Sequence, residues 1–101
     1  MNTANLQLEG LLIAFASINN LLVSKGLVST EEISSTLDRA EQTTLGDYRV
    51  DELDPAQRDA IAFPIRLLRL ANNGASDRDI QSFSELAKLV GQTKESYNDQ
   101  A

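Results

Sequence analysis

Between Leu6 and Val23 the chain reads LQLEGLLIAFASINNLLV, eighteen residues in which Glu9 is the only formal charge. A helix on the outside of a small domain buries one stripe and leaves the rest to water. This segment carries more apolar surface than one stripe can use. Leu8, Leu11, Phe15, Ile18 and Leu22 recur at spacings of three and four along one face, while Leu12, Ile13, Ala16, Leu21 and Val23 widen the apolar surface beyond that line. Two arrangements satisfy such a helix. It can sit at the centre of a bundle, wrapped by the other helices, or it can give one face to another subunit. The same pattern serves both. Leu8, Leu11, Leu12, Phe15, Ile18 and Leu22 are therefore the candidate interface residues, and a two-fold homodimer is the leading expectation.

A bilayer is a third place for apolar surface. Gln7, Glu9, Gly10, Asn19 and Asn20 interrupt the run, and its unbroken apolar stretch, Leu11 to Ala16, is six residues long. Crossing a bilayer takes roughly 20. No basic stretch precedes the run and no small-residue cleavage pattern follows it, so neither a membrane span nor a signal peptide is expected, and the expected location is the cytoplasm.

A length of 101 residues suits one domain, residues 1–101, with a core that needs no staples. The sequence contains no cysteine and no histidine, which excludes disulfides, thiolate catalysis and thiolate or imidazole metal sites. The formal charge of −6 is unevenly spread: residues 26–54 hold eight acids and two bases, residues 55–74 one acid and three bases. The acidic excess disfavours nucleic acid and anionic membranes, and favours solubility or a basic partner.

The periodicity predicts an all-α bundle of four helices, over about 5–25, 30–43, 55–73 and 77–91, with an irregular segment over 44–54. Gly26 ends the first helix as a left-handed cap beside Lys25. Ser29-Thr30-Glu31-Glu32 is a capping box that opens the second. Gly46-Asp47 marks a turn, after which Tyr48, Val50 and Leu53 are expected as a short extended piece packing back on the core. Asp54-Pro55 restarts the helix with Asp as N-cap and Pro at the first position. Pro64 lies within the third helix and predicts a kink or break near Ala62–Phe63. Ser76 and Asp79 form a weaker cap before the fourth helix, which Gly91 is expected to end, leaving residues 92–101 frayed.

Chemistry has few footholds. Acid–base work would fall to carboxylates, Lys or Tyr, and no nucleophile–base pairing is legible; no catalytic residue, metal site or cofactor is assigned. Glu9 is a favourable anion in a first turn rather than a tuned acid. Asp47, Asp51, Glu52, Asp54 and Asp59 suit a hard cation chemically but lack the spacing of a calcium loop, and read as a solvated acidic segment. Arg58, Arg66 and Arg69 can share one helix face. They are candidates for an anionic ligand or an acidic partner, with pairing inside the chain as the default.

Residues 82–97, SFSELAKLVGQTKESY, resemble a bacterial helix-turn-helix: Ala87 and Gly91 stand four apart, as that motif's packing Ala and turn Gly do, and Tyr97 takes the later apolar position. The resemblance implies a recognition helix beginning near Thr93, with Thr93 and Lys94 as DNA contacts. Lys94 is the lone base there and Asp99 an acid, a poor match to the positive surface such a helix needs. The leading expectation is thus a non-enzymatic interaction or regulatory module that self-associates through its first helix, with a further protein partner open. A small DNA-associated regulator and an anionic small-ligand binder, with a pocket between the first and third helices selected by Arg66 or Arg69, are the alternatives.

Overall fold

The computed structural model describes residues 3–74 and 80–98, and the side chains of residues 3–73 and 80–92. Five helices follow in order: α1 Thr3–Ser24, α2 Thr30–Leu45, the single turn α3 Tyr48–Asp51, α4 Pro55–Gly74 and α5 Phe83–Asn98. The described residues contain no strand, and the fold is the expected all-α bundle.

Local chemistry sets most of the boundaries. Gly26 has φ 74°; its amide donates to the Val23 carbonyl at 2.9 Å and that of Leu27 to the Leu22 carbonyl at 3.0 Å, so the last turn of α1 closes in a Schellman motif. At Ser29 the capping box is complete. The Glu32 amide donates to Ser29 Oγ at 3.0 Å and the Ser29 amide to Glu32 Oε1 at 2.8 Å. Asp54 builds a second reciprocal cap, its Oδ1 accepting from the Gln57 amide at 2.8 Å while its own amide donates to Gln57 Oε1 at 3.2 Å.

Three boundaries differ from expectation. Residues 44–54 are not irregular throughout: α2 runs to Leu45, and Tyr48–Asp51 form a helical turn rather than an extended piece. Asp47 caps that turn by accepting from the Arg49 amide at 2.9 Å. Val50 is buried as expected, but Tyr48 stands in water. The second difference is at Pro64, where no break occurs. The missing amide deprives the Ala60 carbonyl of a partner, yet Ala62, Leu67 and Ala71 on the adjoining turns are fully or almost fully buried, and that packing holds the helix together across the loss.

The third difference is α5. Residues 80–82 are not helical and the helix begins at Phe83, because Ser82 is its cap: Ser82 Oγ accepts from the Glu85 amide at 3.2 Å and lies 3.1 Å from Glu85 Oε1. The Ser76 and Asp79 cap lies outside the described residues. At the other end the backbone stays helical through Gly91 to Asn98. Gly91 thus neither ends the helix nor makes a turn.

α4 is the hub. α2 packs along it most extensively, α1 and α5 pack on its other sides, and α3 leans on α2. The central cluster joins Leu12 and Ala16 of α1, Leu67 and Ala71 of α4, and Leu86 and Val90 of α5. Leu67 and Leu86 are wholly removed from water, each burial worth roughly 1.5–3 kcal/mol. Phe63 and Phe83 meet edge to face, with ring centroids 6.2 Å apart, and join α4 to α5. Asn72, the one buried polar residue among the described residues, donates from Nδ2 to the Thr30 carbonyl at 3.2 Å and anchors the start of α2 on α4.

Candidate interaction surface

α1 divides its apolar residues between two faces. Leu12 and Ala16, four residues apart, turn into the core with relative exposures of 4% and 3%, and Ile13 packs beside them. The line of Leu8, Leu11, Phe15 and Ile18 does not. These side chains are exposed by 41%, 56%, 52% and 56%, and Leu22, the last of the line, is half-buried. At 100° per residue this line lies roughly 100° around the helix from the Leu12–Ala16 face. Leu6 and Leu21 are also exposed. The arrangement with α1 at the centre of a wrapped bundle is therefore not the one formed: α1 is a peripheral helix. Of the six candidate interface residues, Leu12 belongs to the domain's own core, Leu22 stands between the two environments, and Leu8, Leu11, Phe15 and Ile18 form an outer stripe.

By length and composition alone α1 is long and apolar enough to cross a membrane, contrary to the sequence expectation, and little of it is buried in the domain. The same test is passed by core helices of soluble proteins and by signal sequences.

The three candidate arginines face carboxylates of the same chain. Arg66 Nε donates to Glu41 Oε2 at 2.7 Å, and its Nη1 lies 3.4 Å from Asp59 Oδ1. Arg69 bonds Glu41 Oε1 at 2.8 Å and also pairs with Asp38. Arg58 Nη1 donates to the Val50 carbonyl at 3.1 Å and lies 3.3 Å from Asp51 Oδ1, which fastens α3 to α4. Asp38 and Glu41 form a ladder with Arg66 and Arg69 across the α2–α4 seam. Burial pushes the Glu41 carboxyl up, but hydrogen bonds from Arg66 and Arg69, together with their charges, outweigh it and hold the group below the usual glutamate value. Burial likewise disfavours the Arg66 cation, and Glu41 and Asp59 more than restore it. Sequence reading does not reach this ladder because its signal is long-range: two acids three apart opposite two arginines three apart, legible only once the helices are paired.

An open groove lies between α4 and α5, lined by Ala56, Asp59, Ala60, Phe63, Arg66, Ala87, Val90 and Gly91. No residue of α1 lines this groove, so it is not the pocket expected between the first and third helices. Arg66 reaches it, but already engaged by Glu41 and Asp59; Arg69 is not among its lining residues. Among the described residues no group of three or more Asp or Glu could hold a metal ion. The side chains of Thr93 and Lys94 lie outside the described residues. The turn that a helix-turn-helix needs at Gly91 is replaced by continuous helix, so the geometric premise for that resemblance is not met.

Comparison with protein-family models, with curated proteins and with solved structures yields no match to this chain.

Proposed function

We propose that the chain is a non-catalytic interaction module that forms a two-fold homodimer through the outer stripe of α1 and works in the cytoplasm. One observation carries the reading: Leu8, Leu11, Phe15 and Ile18 stand at alternating three- and four-residue spacing on a face of α1 that the domain does not cover. Scattered apolar residues on a surface need no explanation, but a continuous line of large ones marks a contact. The spacing is that of a coiled-coil seam, which a second copy of the same stripe fills with knobs into holes.

Three further features support the proposal. The chain has neither His nor Cys, and the arginines able to meet an anion are engaged by carboxylates, which favours binding over catalysis. Leu12 and Ala16 belong to the domain core, so an α1 placed across a bilayer would have to leave that core. The net charge of −6 opposes adsorption to anionic membranes.

Light scattering on a sizing column, across a hundredfold dilution, tests it. The expected result is a mass near twice 11.1 kDa at the concentrated end. A mass that stays at 11.1 kDa throughout overturns the homodimer, and co-sedimentation of that monomer with neutral vesicles would assign the stripe to a bilayer instead.

A further inference from the structure

The outer stripe admits two kinds of symmetric pair. In one the α1 helices run parallel; in the other they run in opposite directions. Resting on the homodimer reading, we propose that the partner of α1 is the α1 of a second copy in antiparallel orientation.

Area comes first. The exposed parts of Leu8, Leu11, Phe15, Ile18 and Leu21 leave roughly 450 Å² of apolar surface per copy in contact with water, more than half of the ~800 Å² per partner of a standard interface. Exposed polar residues along the same helix, Gln7 among them, supply a rim. A second α1 therefore covers the stripe, and the polar rim must supply the rest of the ~1,200 Å² in total at which stable interfaces begin.

Charge then decides the direction. α1 carries its one acid, Glu9, toward its N-terminal end, and Lys25 directly follows its C-terminal end. Beyond Lys25 the loop 25–29 leads straight into the first turn of α2, which holds Glu31 and Glu32, both exposed. A parallel pair brings the Glu31–Glu32 turns of both copies to the same end of the interface and lays two helix dipoles side by side in the same sense. Both contacts are repulsive. An antiparallel pair separates the two acidic turns by about the length of the helix and sets each beside the positive N-terminal end of the other α1.

The stripe contains nothing that opposes this direction. Parallel two-stranded pairs fix their direction and register with a buried polar seam residue or with charged flanking positions. Leu8, Leu11, Phe15, Ile18 and Leu22 include no polar residue, and the positions flanking them, Asn5, Gln7, Leu12, Ala14, Asn19 and Leu21, carry no charge. The three-four-three-four spacing read backwards is four-three-four-three, so a reversed copy meets the stripe after a shift of one step.

The absence of cysteine makes the test clean. Gln7→Cys and Lys25→Cys place one spin label per copy on the same side of the helix, five turns apart, or about 27 Å along the axis. In an antiparallel dimer the Gln7–Gln7 and Lys25–Lys25 separations depend on register, but their sum stays near 54 Å. In a parallel, in-register dimer both distances are short together, each within about 20 Å. Distances summing to about 54 Å in protein of dimeric mass support the proposal. Two short distances at dimeric mass overturn the orientation alone. Monomeric mass of the unlabelled chain overturns the homodimer reading and this proposal with it.

Discussion

Leu11 and Leu12 are neighbours in sequence and have opposite fates. Leu12 is packed into the cluster with Leu67 and Leu86 and keeps 4% of its surface in water, whereas Leu11 points away from the domain and keeps 56%. The 100° step of the helix separates a core residue from a stripe residue. The two positions hold the same side chain, so they form a matched pair for experiment.

Leu12→Ala should cost about 2–4 kcal/mol, from lost transfer energy and the cavity left against Leu67 and Leu86. Leu11→Ala should cost less than about 1 kcal/mol in dilute, monomeric protein, because little burial is lost. Urea denaturation of both variants measures the difference. At high concentration Leu11→Ala should also lose the concentration dependence of stability that dimerisation confers on the wild type.

The Glu41 ladder should appear in the acid limb of stability. Its carboxyl is held below the usual glutamate value in the folded chain. Its contribution is therefore fully present above the unfolded-state value and disappears as the pH falls through the folded one. Glu41→Gln should destabilise by roughly 1–3 kcal/mol near neutral pH, where it leaves Arg66 and Arg69 without their shared acceptor. The gap from wild type should shrink in acid, as the pH falls through the lowered folded-state value and Glu41 takes up its proton. Urea midpoints at neutral and at acid pH give the comparison; a gap that is constant with pH would mean that the ladder contributes no charge-dependent stability.

Gly91→Ala separates a continuous α5 from a helix-turn-helix. Gly91 lies inside the helix, has no positive φ, and a Cβ added there meets nothing within 4 Å. Alanine should therefore stabilise by about 0.5–1 kcal/mol through helix propensity. At a left-handed turn the same change would destabilise. Thermal melts of the variant and the wild type read the sign directly.

The parts of this fold that are legible in the sequence are those written locally. The caps at Gly26, Ser29 and Asp54 each depend on residues within one turn, and each sits where its pattern places it. Ser82-x-x-Glu85 carries the same signature, and its competition with Ser76 and Asp79 hides the true start of α5. The fate of Gly91 and Pro64 is not local. Both residues punctuate a helix in isolation, and both are carried through by the packing of Val90 and of Leu67 on the core. The candidate surface was legible as residues but not as geometry. The stripe from Leu8 to Leu22 is visible in the sequence, but that the domain would claim Leu12 and Ala16 and leave the stripe outside depends on which side of α1 meets α4.

Phe15 stands at the middle of that stripe, half-exposed and away from the core, so a charge there should spare the fold and be intolerable in a pair of helices. The most direct measurement is the light-scattering mass of Phe15→Glu beside the wild type at equal concentration, with a thermal melt of each. The expected result is a folded monomer near 11.1 kDa for the variant against twice that mass for the wild type. Equal masses, whether both dimeric or both monomeric, would contradict self-association through α1.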